Sequence, residues 1–242
     1  MNSLLRVQTF RTITGTLIQT LLVALTLISL RATASAQEYV EFLIGDRTEE
    51  TRKWGHVSLR VVTGKQDLIF DFGRYGRMWG KRDASEGEPI LRVWKKGKYS
   101  TYRNLHLKDG GTTKRYQFTS TPQRSARILD YFAAMTKGAP LQLSNSSFDA
   151  YVANYKTFHA VDVNCATVSI DAFEKGFPEY RLHQPAYSIG RDLGFFLKGA
   201  AQANGNYDSQ EMNWPRIWWP LDLMALLEDQ YVRPGHARVL GL

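Results

Sequence analysis

The spacing of apolar residues changes near the middle of the 242-residue chain, and this change constrains the fold more strongly than any other feature. In the first half, short segments alternate apolar and polar residues or run continuously apolar, which predicts β-strands. From Thr121-Pro122 onward, apolar residues recur every three or four positions, which predicts helices. Strands followed by helices indicate an α+β domain in which an antiparallel sheet packs against helices. No convincing linker interrupts residues 37–242, so we predict one domain, whose last third is a helical extension.

The same patterns locate the individual elements. Strands are predicted at residues 39–44, 54–62, 68–73, 90–94 and 115–120, with a weaker one at 102–107. The first helix is predicted to begin at Thr121-Pro122, because threonine is a good N-cap and proline suits the first turn. Its apolar stripe, which ends at Gly138, comprises Ala126, Leu129, Phe132 and Ala133. Further helices are predicted at residues 148–155, after the polar residues 145–147, and at 165–176, 191–203 and 220–231.

The N-terminal residues have the pattern of an export signal. A basic start and an apolar core at residues 17–30 precede Ala34-Ser35-Ala36, a small-residue cleavage site. We therefore predict that residues 1–36 are a signal peptide and that the mature protein begins near Gln37, in the periplasm or outside the cell. After cleavage no stable membrane span is expected. The alternative is an uncleaved membrane anchor, because the apolar stretch approaches the length that spans a bilayer.

The charge balance argues against nucleic-acid binding. The chain has 31 basic and 23 acidic residues, a net charge of +8. Three of the arginines lie in residues 1–36, which contain no acid, so the remainder has 28 basic residues and a net charge of +5. This excess is spread over residues 74–82 and 95–103, with no recognised nucleic-acid motif. It would attract an anionic polymer or a lipid surface weakly.

Cys165 is the only cysteine in the chain. Exported proteins normally pair their cysteines as disulfides, so an unpaired thiol needs either deep burial or a chemical role. No Cys-x-x-Cys, His-Glu-x-x-His or paired Cys/His spacing occurs, so we predict no metal site and no cofactor. Two interpretations of Cys165 remain open at this point, a small buried core residue and a reactive thiol.

The residues around Cys165 predict the start of a helix. Asn164 is a suitable N-cap, Val168 and Ala172 are spaced to share one face, and Gly176 suits the left-handed residue that follows a helix end. Cys165 then lies in the first turn, where the helix dipole favours a thiolate over a thiol. Backbone N–H groups in this turn, helped by Asn164, would stabilise an oxyanion.

Two consecutive strands predict a β-hairpin that brings a histidine and an aspartate together. Gly64, as the first residue of a two-residue loop, is typical of a type II′ turn. The strands then pair with Arg60 opposite Ile69. In this register Asp71 is the diagonal neighbour of His56 on the same face, about 7–8 Å away at the backbone and within reach of its side chain.

These residues suggest a nucleophile and its base. A cysteine nucleophile needs a base that takes its proton and a third group that holds the base in position. His56 on a strand and Cys165 at a helix start form a workable pair, and Asp71 would orient the imidazole. His159, which is close to Cys165 in sequence, and His106 are competing candidates for the base.

Aromatic residues beside the hairpin are candidates for substrate binding. Trp54 begins the first predicted strand of the hairpin, and Tyr75 and Trp79 lie in the glycine-rich loop that follows the second. We expect these three side chains to contact a substrate. The alternative is that the aromatic loop simply covers an edge of the sheet.

Two short motifs resemble a known family. Gly55-His56-Val57-Ser58-Leu59 on an early strand and Asn164-Cys165-Ala166-Thr167 at a later helix start resemble the circularly permuted branch of the NlpC-type papain-like superfamily. That branch includes lecithin:retinol acyltransferase-like enzymes and bacterial cell-wall amidases. The resemblance implies a permuted papain-like α+β fold with Cys165 as nucleophile and His56 as base. It also implies a polar residue on the neighbouring strand, here Asp71, where relatives often carry histidine.

The residues and the resemblance together lead to one expected function and one alternative. We expect an exported cysteine hydrolase or acyltransferase that forms an acyl-enzyme at Cys165. Its substrate would be a peptide, amide or ester, such as a peptidoglycan peptide or an acyl-lipid. The alternative is an exported, non-catalytic binding or scaffolding protein of the same fold that contacts glycan, peptide or lipid.

Overall fold

The computed structural model describes residues 38–45, 55–73, 86–108, 112–154, 158–159, 163–182 and 220–240. By its contacts the chain divides after Gln37, and every described residue belongs to the unit Glu38–Leu242. Several expectations therefore lie outside the described residues. They are the signal peptide with its cleavage site, Trp54, the loop with Tyr75 and Trp79, and the helix at residues 191–203.

The strands of the described residues form one large sheet and one small one. They are β1 (Tyr39–Gly45), β2 (His56–Val62), β3 (Asp67–Gly73), β4 (Glu86–Gly87), β5 (Ile90–Trp94), β6 (Thr113–Thr119), β7 (Leu141–Ser144), β8 (Phe148–Val152), β9 (Phe158–His159) and β10 (Arg238–Leu240). Eight of them form an antiparallel sheet in the order β10-β6-β1-β2-β3-β5-β8-β7, and β4 pairs with β9.

Four α-helices accompany the sheet in the described part of the chain. They are α1 (Tyr99–Lys108), α2 (Pro122–Thr136), α3 (Cys165–Gly176) and α4 (Pro220–Leu227), the last followed by a π-helical segment, Glu228–Val232. The predicted α+β class with an antiparallel sheet is confirmed. None of the helices in the described ranges is long and apolar enough to cross a lipid bilayer.

One face of the sheet packs against helices and forms the main apolar core. In β2, the alternate residues Val57, Leu59 and Val61 are wholly buried in this core. Phe173 of α3 packs on Phe42 of β1, with ring centroids 4.9 Å apart. Complete burial of each such side chain contributes about 1.5–3 kcal/mol. This face therefore determines which side of β2 points toward the helices.

The opposite face of the same strands carries buried ion pairs. Glu41 is wholly buried and accepts hydrogen bonds from Arg60 Nη1 at 3.0 Å and from Arg115 Nη2 at 2.5 Å. Arg60 also donates to both carboxylate oxygens of Asp67, at 2.7 and 2.9 Å, and its guanidinium lies 4.4 Å from the centroid of the Tyr99 ring. Because buried charges lose their hydration, such complete pairing is needed to offset the cost.

The weak strand predicted at residues 102–107 is wrong, because this segment belongs to helix α1. Tyr102 is wholly buried, packs edge-on against Trp94 at 5.2 Å between centroids, and is hydrogen-bonded through its hydroxyl to Ser58 Oγ at 2.7 Å. The flanking Thr101 and Asn104 are exposed. One buried side chain between exposed neighbours is compatible with one turn of a surface helix. A half-buried strand would instead alternate buried and exposed side chains.

Helix α2 begins as predicted, but its buried stripe differs from the expected one. Thr121 is the N-cap, and its hydroxyl accepts the Arg124 N–H at 3.3 Å. Of the expected stripe, Phe132 is buried and Leu129 packs against the core, but Ala126 and Ala133 are exposed. The other buried residues of the helix are Ser125, Ile128 and Met135. Ile128, Phe132 and Met135 bury more apolar area than alanine does, so these residues take the side of the helix that faces the core.

The helix predicted at residues 148–155 is wrong, because residues 148–152 form strand β8. This strand lies between β5 and β7, with Phe148 directly opposite Trp94. Asn145 Oδ1 accepts the N–H groups of Ser147 and Phe148, at 2.8 and 2.9 Å, and closes the turn that joins β7 to β8. A short run of Asn and Ser suits a turn as well as a helix cap, and here strand pairing decides between them.

The predicted register of the β2–β3 hairpin is confirmed, although the predicted turn type is wrong. Arg60 lies opposite Ile69, as expected. The φ angle of Gly64 lies outside the left-handed region that a type II′ turn requires. Instead Thr63 Oγ1 accepts the N–H of Gln66 at 2.9 Å, and the Thr63 N–H donates to the Gln66 carbonyl at 2.8 Å. The threonine side chain therefore holds the turn that the glycine was expected to form.

Gly176 is needed for close helix packing and does not occupy the predicted left-handed position. It is the last residue of α3, its φ lies outside the left-handed region, and Phe177 at the C-cap has φ −129°. A Cβ atom at Gly176 would lie 2.8 Å from the Arg124 carbonyl oxygen and 2.8 Å from Ile128 Cδ1. Contacts this short exclude any side chain, so the glycine allows α3 to approach the backbone of α2.

We expect Gly176→Ala to lower the free energy of unfolding by about 1–3 kcal/mol, because the added methyl group overpacks the α2–α3 contact. The matched control is Gly64→Ala, since nothing lies within 4 Å of a Cβ atom built at Gly64. The control should change stability by less than about 0.5 kcal/mol. Urea unfolding measures both effects, and identical stabilities for the two variants would show that the helices have room to spare.

Candidate active site

The first turn of α3 is fixed by reciprocal hydrogen bonds around Cys165. Asn164 is the N-cap, and its Oδ1 accepts the N–H groups of Ala166 at 2.9 Å and Thr167 at 3.1 Å. In return, Thr167 Oγ1 accepts the Asn164 N–H at 2.9 Å. The predicted N-cap is therefore confirmed, as part of a complete capping box. Because both sides of Cys165 are tied together, its backbone is held rigidly.

Cys165 itself is half-buried at the N-terminus of the helix. The partial positive charge at a helix N-terminus stabilises negative charge that develops near it. Asn164 accepts the N–H groups of Ala166 and Thr167 through its side chain and that of Val168 through its carbonyl oxygen. The Cys165 N–H belongs to the same residue as the sulfur and is the candidate donor to an oxyanion formed there.

Gly55 places His56 at the start of β2. The φ angle of Gly55 is +75°, a backbone conformation that residues with a side chain rarely adopt. A Cβ atom there would lie 2.8 Å from the Gly45 carbonyl oxygen and 3.1 Å from Pro220 Cβ of α4. The chain therefore enters β2 through a narrow space between the end of β1 and the start of α4, and only glycine fits both the angle and the space.

His56 and Asp71 are in direct contact, as the hairpin register predicts. His56 Nε2 lies 2.5 Å from Asp71 Oδ1, and the Asp71 side chain is wholly buried. Since Nε2 is committed to the carboxylate, Nδ1 is the ring nitrogen that can exchange a proton with the Cys165 thiol. The contact therefore fixes the orientation of the imidazole and gives its two nitrogens different roles.

Arg92 and Trp94 complete the surroundings of Asp71, and sequence reasoning did not identify either residue. Asp71 Oδ2 accepts two hydrogen bonds from the Arg92 guanidinium, one from Nε at 3.0 Å and one from Nη2. Trp94 Nε1 lies 3.4 Å from the same oxygen. Arg92 is directly opposite Asp71 in the β3–β5 ladder. The alternation Leu91-Arg92-Val93 shows that the arginine faces away from the main core, but only the strand order shows which residue it meets.

The surroundings of His56 favour its protonated form. Burial opposes the charged ring, but the Asp71 carboxylate and the negative charge of the Cys165 sulfur favour it, and both groups also hydrogen-bond the ring. Together these effects raise the pKa of His56 from 6.5 to about 9. The raised pKa favours the charged imidazole at neutral pH, and this ring is hydrogen-bonded to the Cys165 sulfur.

The other two candidate bases lie on elements other than β2. His159 lies in β9 opposite Glu86, and His106 lies in α1. Trp54, Tyr75 and Trp79, the expected substrate contacts, lie outside the described residues. In the described ranges, no three His, Cys, Asp or Glu side chains are grouped closely enough to hold a metal ion.

Comparison with known proteins gives no match to any family model, to curated proteins or to solved structures.

Asp71→Asn is expected to lower the pKa of His56 from about 9 by about 1–3 units, because the carboxylate charge is lost while burial still opposes protonation. NMR titration of the imidazole ring measures this shift. Asp67→Asn is the matched control, since it breaks an ion pair with Arg60 on the same face of the sheet. The control should leave the titration unchanged, and an unchanged titration in Asp71→Asn would refute the assigned His56–Asp71 pair.

The capping role of Asn164 predicts different outcomes for two substitutions. Asn164→Ala removes the acceptor for two N–H groups and should cost about 0.5–2 kcal/mol of stability, measured by urea unfolding. Asn164→Ser keeps an acceptor and should recover most of this loss. If Asn164 acts only as the cap, the serine variant should also recover the alkylation rate of Cys165. A stable serine variant with a slow thiol would instead show that the amide group acts directly.

Proposed function

We propose that the protein is a cysteine hydrolase or acyltransferase that forms an acyl-enzyme at Cys165. The observation that carries this proposal is the position of His56, which interacts with the Cys165 sulfur and contacts Asp71 through Nε2. Nucleophile, proton carrier and orienting carboxylate are the three parts that thiol catalysis of acyl transfer requires. A half-buried sulfur in a structural role would need neither the imidazolium nor the buried carboxylate.

The first half of the proposed reaction forms the acyl-enzyme. The Cys165 thiolate attacks the carbonyl carbon of an amide or ester, and the electron pair of the C=O bond moves to oxygen. The Cys165 N–H and the helix N-terminus stabilise this oxyanion. When the tetrahedral intermediate collapses, the bond to the leaving amine or alcohol breaks and His56 donates its proton to that group.

The second half releases the acyl group. Water, or the amine or hydroxyl group of an acceptor, attacks the thioester carbonyl while neutral His56 takes its proton. Collapse of the second tetrahedral intermediate breaks the C–S bond and restores the thiolate beside the imidazolium. Asp71 keeps the ring in one orientation through both steps and favours its charged form.

The proposed relationship to the permuted papain-like superfamily is supported by the arrangement of the elements. The histidine lies on an early strand, and the cysteine opens a later helix that packs on the same antiparallel sheet. The order of the two residues along the chain is the one the permuted branch uses. Together with the predicted export signal, this favours peptidoglycan peptides as the substrate class, with acyl-lipids as the second candidate.

Cys165 should react with iodoacetamide at pH 7 about tenfold or more faster than a free model cysteine, because the imidazolium stabilises its thiolate. His56→Ala should remove this advantage. The matched control is His236→Ala, since His236 contacts the Tyr180 ring, with centroids 6.2 Å apart. Intact mass spectrometry after incubation with an activated ester should show one acyl group, absent in Cys165→Ala. Labelling no faster than the model thiol would refute the proposal and favour a binding protein with an inert Cys165.

A further inference from the structure

We infer that Arg92 is a positioning residue for the His56–Cys165 site, because it holds one oxygen of Asp71 so that the other faces His56. This inference deepens the proposed function and depends on it for its catalytic meaning. The contacts from Arg92 that bear on the site go to Oδ2 of Asp71. Its effect on the site passes through the Asp71 carboxylate.

The contacts divide the Asp71 carboxylate into two halves with different partners. Oδ1 is taken by His56 Nε2, whereas Oδ2 accepts both Nε and Nη2 of Arg92. A carboxylate can rotate about its terminal bond, and a single partner on one oxygen leaves that rotation soft. A second partner that grips the opposite oxygen through two N–H groups fixes the plane of the carboxylate, so Oδ1 stays directed at the imidazole.

Arg92 is itself held in place by its neighbours. Its guanidinium lies 5.7 Å from the centroid of the Trp94 ring and 5.5 Å from that of Phe148, and its side chain is only 12% exposed. Trp94 shares β5 with Arg92, and Phe148 belongs to the adjacent strand β8. The packed aromatic rings limit the rotamers of the arginine, so its grip on Asp71 is built into the sheet.

The geometry of the guanidinium matters here, beyond its charge. Two N–H groups of the planar fork meet one oxygen, which a lysine ammonium on a flexible stem cannot reproduce. Lysine at this position would keep the positive charge near Asp71 and lose the fixed orientation. Arg92→Lys therefore separates positioning from charge compensation.

The same face of the sheet offers a matched control. Arg60 is buried to a similar degree, forms a two-pronged ion pair with Asp67 and stacks on an aromatic ring, Tyr99. Its carboxylate partners are Asp67 and Glu41, not Asp71. Arg60→Lys therefore imposes a comparable change on the fold without altering the groups around His56.

The test is an NMR titration of His56 in a Cys165→Ser background, so the result does not depend on thiol chemistry. With the thiol removed, the charged group shown to act on the ring is Asp71 of β3, whose other oxygen is held by Arg92 of β5. Adding Arg92→Lys should lower the pKa of His56 by about 1 unit or more, because Asp71 no longer holds the ring in line. Adding Arg60→Lys should leave the pKa of His56 unchanged.

In the cysteine-containing protein, Arg92→Lys should slow alkylation of Cys165 by about tenfold or more.

Each outcome decides the question. An unchanged titration in Arg92→Lys, or an equal shift in Arg60→Lys, would overturn the positioning role. If Arg92→Lys does not fold, Trp94→Phe removes the third donor to Oδ2 and should lower the pKa of His56 by a smaller amount. A shift in the titration without fast labelling of wild-type Cys165 would support the grip of Arg92 on Asp71 and refute the proposed chemistry. The two failures are therefore distinguishable.

Discussion

The complete burial of the Asp71 carboxylate is the constraint on which the organisation of the site depends. An ionised carboxylate removed from water loses several kcal/mol of hydration, so it must be paired on all sides. Here an imidazole occupies one oxygen and a guanidinium the other. Because the three side chains come from β2, β3 and β5, this pairing links three neighbouring strands of the sheet. The same carboxylate that orients the histidine is therefore also a link between neighbouring strands.

The central strands have two faces with opposite chemistry. One face buries aliphatic and aromatic side chains against the helices, while the other buries carboxylates with arginines. Ion pairs of this kind add little net stability compared with apolar packing, but removing one partner is costly because it leaves an uncompensated buried charge. The apolar face thus supplies most of the stabilisation, and each buried charge on the polar face needs its partner.

Local patterns predicted those parts of the structure that local interactions decide. The N-cap at Asn164 and the His56–Asp71 contact both follow from short-range rules, a side chain capping its own helix and a hairpin of defined register. The predictions for the segments that form helix α1 and strand β8 were wrong, because these sequences suit either a helix or a strand. Packing against Trp94 decides the structure of both segments. Arg92 could not be placed, because its partner depends on which strand lies beside β3, a property of the whole sheet.

The hairpin between β2 and β3 links the integrity of the core to that of the site. Asp71 lies between Phe70 and Phe72 in the chain, and both phenylalanines point into the apolar core. A slip of one residue would exchange the faces, so the carboxylate would enter the core and the rings would enter the ionic layer. A chain with this register would not fold stably. The carboxylate therefore lies beside the histidine only in chains whose apolar core has formed correctly.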